Sequence, residues 1–279
     1  MPKALVTATT YPHYEVPKGY TVQIDDNGDV VFRDARGNEH KPDPQIKDRQ
    51  KQPPPFQDGI WQIVNTGLPS GASHMSRFQY NVIVPVMPAA NASTIHYCWG
   101  GLSHWDSALN YDSLAHPVMR CIYPGYGDAS WMAWPSFFSH TYGLLGTAPT
   151  AMGSGQNWSG YAYCSGQYTV VGWMAPAGGT DPDPLVFDNP HWKTGMANGA
   201  VLGSYEPFNI TDRSQLAPWF EYYNVQAASN LGHIPDGSWN VHYGWPNPIS
   251  PFCGGGTDLI ANLGNGGDAV FKTYVDLIL

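Results

Sequence analysis

From Phe56 to the C-terminus, apolar residues recur in short stretches with a period of two, and Gly, Pro, Asn and Ser separate each stretch from the next. The runs Gly59–Val64, Phe78–Pro85, Thr94–Trp99, Val118–Tyr123, Gly160–Tyr163, Tyr168–Met174, Ala200–Leu202, Phe220–Val225, Ser238–His242 and Val270–Leu279 therefore read as strands. Pro85 cannot donate a ladder hydrogen bond, so its strand should stop there or lie on an edge. Helical spacing is nearly absent, apart from a short turn expected over Arg213–Pro218 behind a capping Asp212. Thr180–His191, with Asp-Pro, Asp-Pro and Asn-Pro steps, is expected to be a loop. Gly254-Gly255-Gly256 and Gly264-Asn265-Gly266-Gly267 do not open a helix, so they read as hairpin turns and not as phosphate cradles. The pattern predicts an all-β chain, an antiparallel β-sandwich of two packed sheets.

The first 56 residues follow a different pattern. Tyr20–Ile24 and Val30–Phe32 flank Asp25-Asp26-Asn27-Gly28-Asp29, where Asn-Gly offers the positive φ angles of a tight hairpin turn. Lys41–Pro55 is polar and Pro-rich, too poor in apolar surface to order by itself. The expected organisation is an N-terminal hairpin and Pro-rich arm over 1–56, followed by a β-sandwich domain over 57–279. Eight of the thirteen Lys and Arg residues lie before position 52, so the composition shifts at this boundary.

Charge changes the picture of possible partners. A net charge of −9 with 13% charged residues lacks the clustered cations that a nucleic-acid backbone needs, so nucleic acid is set aside. No apolar run is long enough for a membrane span, and residues 1–20 hold no signal-like core. A cytoplasmic location is therefore expected, or a secreted one if a leader has been removed. Cys98, Cys121, Cys164 and Cys253 are irregularly spaced without a Cys-x-x-Cys pair, which points away from zinc and toward buried free thiols, with one or two disulfides as the alternative. The histidines His96, His104, His140, His191, His233 and His242 lack ligand spacing as well. No metal and no cofactor are expected, and nothing in the chain fixes the oligomeric state.

Candidate chemistry gathers at Ala115–Pro124 and at Trp131-Met132-Ala133-Trp134, which combine an imidazole, a guanidinium and two indoles. Together with Tyr97-Cys98-Trp99-Gly100-Gly101-Leu102, these segments resemble the central motifs of the glutamic peptidases, both the fungal eqolisin branch and the related neprosin family. Trp99-Gly100-Gly101-Leu102 is similar to the family's first motif strand, and Met119–Pro124 to the segment ending in Tyr-Pro. The resemblance implies a concanavalin A-like, jelly-roll type sandwich with a concave cleft. It places His116 where the family carries a catalytic Gln or Glu, and Ala133 where the fungal branch has the Glu of Trp-Tyr-Glu-Trp. It offers Glu221, in Trp219-Phe220-Glu221-Tyr222-Tyr223, as the second catalytic acid.

His116, Glu221 and Arg120 are accordingly the catalytic candidates. Trp99, Met119, Trp131, Trp134, Tyr123 and Tyr222 are the candidates for an aromatic-rich substrate surface. Histidine titrates near neutrality, and a strand carboxylate among aromatics would have a raised pKa, so such a pair could pass protons. Three functions stay open. One is an acid–base enzyme acting on a small, largely apolar molecule by dehydration, cyclisation or cycloaddition. The others are an acid endopeptidase of glutamic type and a lectin-like protein that binds glycan, so the expected partner is a small molecule, a peptide or a glycan.

Overall fold

The computed structural model describes residues 12–43, 59–87, 94–105, 111–123, 130–139, 142–165, 169–180, 184–188, 197–207, 220–234, 239–245, 253–262 and 269–277. Strands dominate these residues, and no helix occurs among them. Two sheets pack face to face. The front sheet runs β1 (His13–Val16), β10 (Gly143–Thr147), β9 (Trp131–Ser139), β8 (Tyr111–Tyr123), β7 (Thr94–Trp105), β15 (Gly199–Pro207), β5 (Gly59–Gly67) and β18 (Asn240–Trp245), with β11 (Thr150–Met152) beside β9. The back sheet runs β19 (Cys253–Asn262), β20 (Ala269–Leu277), β16 (Phe220–Ser229), β6 (Met75–Ile83), β12 (Asn157–Ser165), β13 (Thr169–Pro176), β14 (Leu185–Asp188), β2 (Thr21–Ile24), β3 (Val30–Arg33) and β4 (Glu39–His40), with β17 (Gly232–His233) beside β16. Among the described residues all strand pairings are antiparallel except two, β1 with β10 and β14 with β2.

Period-two alternation decides which side chains meet between the sheets. On β6, Phe78, Tyr80 and Val82 point inward and are fully buried, while Arg77, Gln79 and Asn81 face out. From the front sheet, Cys98, Leu102, Ala115, Met119, Cys121, Trp131, Ala133 and Phe137 close the same core. Tyr80 and Tyr222 cross this layer as an edge-to-face pair with ring centroids 5.4 Å apart. Their hydroxyls donate to carbonyls of the opposite sheet, Tyr80 to Pro117 at 2.9 Å and Tyr222 to Gly203. Burial pushes both phenols well above their ordinary pKa, so they remain neutral donors. Glycine makes the crossing possible: a Cβ on Gly100 or Gly160 would stand 2.5 Å from ring atoms of Phe78 or Tyr80.

Several sequence expectations change. Leu185–Asp188 is a strand, because Leu185 and Phe187 bury on one side while the segment pairs with both β13 and β2. Gly254-Gly255-Gly256 lies within β19, where the ladder to β20 supplies the order that glycine lacks by itself. As expected, the strand before Pro85 stops short of it, at Ile83, and it does so in the middle of its sheet. The hairpin at Asp25–Asp29 forms with a single positive φ, at Gly28, because the Asp25 carboxylate accepts from the backbone N–H groups of Asn27 and Asp29. Arg213–Pro218 and Gly264–Gly267 lie outside the described residues. Cys98, Cys121 and Cys164 are free thiols, the first two buried in the core. The N-terminal segment contributes to both sheets, β1 at the edge of the front one and β2 to β4 at the edge of the back one.

Candidate active site

The outer face of the front sheet holds the chemistry the sequence singles out. Its register arranges side chains of β7, β8 and β9 in rows. Trp99, Val118 and Trp134 form one row, Tyr97, Arg120 and Met132 a second, and His116 and Ser136 a third. The two indoles thus stand on either side of Val118, on strands about 10 Å apart. His116 lies at one end of this strip and Arg120 at the other; the strip is the candidate slot, and Trp99, Val118 and Trp134, which would wall and floor it, are buried.

Two prolines locate the slot within the sheet. Pro117 and Pro135 face each other in the β8–β9 ladder. Beside Pro117, the β7–β8 ladder is interrupted between Trp99/Val118 and Leu102/Ala115 while its register is kept; beside Pro135, the far edge of β9 changes partner from β11 to β10. A central strand tolerates proline at such gaps, where no N–H is called for. The close approach of β7 there needs Gly101, whose Cβ would fall 2.0 Å from the Ala115 carbonyl oxygen.

The neighbours of the half-buried His116 ring assign its tautomer. Its Nδ1 lies 3.3 Å from the Leu114 carbonyl, which can only accept, so Nδ1 carries the hydrogen. Nε2 is then the lone-pair nitrogen, 3.4 Å from the Ser136 hydroxyl. Desolvation holds the His116 pKa down, to about 3, against smaller upward contributions from hydrogen bonding to the backbone of Leu114 and of Ser136. The imidazole is therefore neutral at physiological pH. Arg120, only 3% exposed, lays its guanidinium over the Trp134 ring at 4.3 Å from the centroid. Trp134 in turn lies over Gly146 of β10, where a Cβ would come within 2.3 Å of the indole nitrogen.

Not every candidate reaches this slot. Met119, Trp131 and Tyr222 are fully buried between the sheets, where they pack the core, and Ala133 faces the same way. Trp131 meets Phe220 edge to face at 5.5 Å there. Tyr123 closes β8, its side chain outside the described residues. Glu221 belongs to β16 of the back sheet and alternates with the inward Phe220 and Tyr222, so it faces out on the opposite side of the sandwich. His116 and Glu221 are not brought together. Motif reasoning missed Ser136, although it stands directly across from His116. Two positions beyond Trp134, it shares that residue's face by strand periodicity.

Asp112 of β8 and Glu206 of β15 have side chains outside the described residues, and the described side chains of β7, β8, β9 and β15 include no Asp or Glu. In the His116 row, register leads through Ser136 and Gly146 to the exposed Glu15 of β1, three strands from His116 and about 14 Å away. Among the described residues no cluster of His, Cys, Asp and Glu could hold a metal ion, and no helix is long and apolar enough to cross a membrane.

No protein-family model matches the chain, and no curated protein matches it. Solved structures do. Scytalido-glutamic peptidase with a peptide-based transition-state analogue superposes with a TM-score of 0.50 at 10% identity, over 77% of this chain and 98% of that one. SCP-B, a member of the eqolisin family of peptidases, in complex with the tripeptide Ala-Ile-His, gives 0.51 at 10% identity, over 78% and 98%. The protein is thus a two-sheet β-sandwich with the fold of the glutamic peptidases, shared at only 10–11% sequence identity.

Proposed function

We propose that the protein is an enzyme that moves a proton on a small, flat, largely apolar molecule held in the slot between Trp99 and Trp134. The observation that carries this reading is one face presenting a neutral imidazole and a buried guanidinium at opposite ends of an aromatic slot. His116 Nε2 takes a proton from carbon, and the electron pair moves to a substrate oxygen turned toward Arg120. His116 and Arg120 are four residues apart on one strand, about 13 Å along it, and Arg120 leans back over Trp134. A molecule of two or three fused rings spans that gap.

A base with so low a pKa is weak toward free protons. Its basicity rises as negative charge develops beside it, because an adjacent anion favours the imidazolium. The interaction then stabilises the transition state more than the ground state, which is the requirement for catalysis. Loss of a proton in this way begins a dehydration or a cyclisation.

The test uses 2-naphthoate, a flat apolar anion, as a probe of the slot and denatured casein as a probe of proteolysis. Naphthoate is expected to quench tryptophan fluorescence, and Arg120→Met to weaken its binding about tenfold. Casein is expected to stay intact from pH 3 to 8. Casein cleavage that disappears in His116→Ala would instead establish a peptidase at this face.

A further inference from the structure

The opposite face of the sandwich carries a second kind of chemistry, independent of the slot. Across the back sheet, Gln226, Gln79, Tyr161 and Trp173 lie side by side on β16, β6, β12 and β13. The next row holds Tyr223, Asn81 and Ser159. These side chains point away from the core. The bulge after Tyr223, with Asn224 at φ 50, shifts the alternation by one so that Tyr223 and Gln226 share the outer face.

We infer that this face binds a neutral glycan. Tyr161 and Trp173 stack with centroids 4.7 Å apart and planes within 5°, and both retain partial exposure. The β13–β14 ladder ends at Gly172 and Leu185, one residue short of Trp173. Aromatic faces of this kind receive the C–H face of a sugar ring. The Tyr161 hydroxyl donates to Gln79 Oε1, which orients the amide and leaves its two N–H donors for sugar oxygens. Asn81 and Tyr223 extend the same alternation of amide and phenol.

Charge selects a neutral ligand. Glu221 and Lys272 are register neighbours on this face and offset one another. Arg77 adds one exposed cation, too little for a polyanion, and the protein as a whole carries −9. Rings that end in hydroxyls, interleaved with amides, also lack the continuous apolar core of a protein interface.

Affinity electrophoresis in native gels tests this, with galactomannan, hydroxyethylcellulose and laminarin as neutral polymers and polygalacturonate as the anionic control. At least one neutral polymer should retard the protein. Trp173→Ala and Gln79→Ala should each weaken that binding about tenfold, while His116→Gln, on the other face, leaves it unchanged. Should Trp173→Ala fail to give a native circular dichroism spectrum, Gln79→Ala, which spares the stacked pair, decides alone. Retardation by none of the neutral polymers, retardation by polygalacturonate only, or undiminished binding in the decisive variants would overturn the inference.

Discussion

At the residue scale, the strongest asymmetry lies at His116, where a ring able to carry charge is kept without it. The free side chain titrates near 6.5 and the folded one near 3, with desolvation as the leading cause. Between these values the unfolded chain binds a proton that the native protein does not. Stability tied to His116 is therefore complete above pH 6.5 and falls away as the pH drops toward 3. His116→Gln removes the titration and keeps a polar side chain opposite Ser136. Thermal melts at pH 7 and pH 4.5 should show a smaller loss of Tm in the variant than in the wild type; equal losses would mean that the ring is solvated.

Much of this scale can be read from sequence, provided parity is counted. Positions 116 and 120 are four apart, so one strand must carry both on one face, and Met119 must turn to the other. Trp131 and Trp134 are three apart and must part company, one into the core and one to the slot. A motif compared letter by letter treats these two indoles as equivalent; period two separates them. Parity also sets Glu221 against Tyr222, but it does not say which sheet receives β16. That assignment comes from long-range pairing with β6 and β20, which local pattern does not encode.

At the element scale, strands β7 to β10 are held in register by places where a side chain is missing. Gly101→Ala would set a Cβ against the Ala115 backbone, and a backbone neighbour cannot swing aside. A loss of about 1–3 kcal/mol is expected, measured by urea unfolding. Gly146→Ala meets only the Trp134 indole, which can move. That variant should keep most of its stability yet bind 2-naphthoate more weakly, because Arg120 rests on the displaced ring; unchanged binding would disconnect β10 from the slot.

The elements that sequence pattern left out share a physical cause. In β9, eight of the nine residues are buried, so both faces are withdrawn from water and the alternation that marks a half-exposed strand is lost. In β14 and β19, flanking prolines and a glycine run argue locally against a strand, and pairing to neighbours overrides them. By contrast, β6 and β16 alternate plainly, and both were legible.

At the scale of the whole molecule, the N-terminal segment completes two sheets at once. Val16 of β1 and Val22 and Phe32 of the β2–β3 hairpin bury into the common core. Removing residues 1–43 would expose that apolar surface and leave β10 and β14 as open edges, which favour strand addition between copies. Size-exclusion chromatography of the truncated protein should show aggregates, whereas a monomer of native spectrum would show the segment to be an accessory.

Only Pro17–Tyr20 separates β1 in the front sheet from β2 in the back one, and Tyr20 N–H bonds to the Pro17 carbonyl across that turn. A connection so short works as the spine of a book, fixing the two covers at one margin. At the far margin β18 and β19 also touch, but no described connection there is as short, so opening is expected to begin at that margin. Rare openings of the sandwich would then trade amide hydrogens first along β18 and β19 and last in β1 and β2, even though β1 and β2 are the shorter strands.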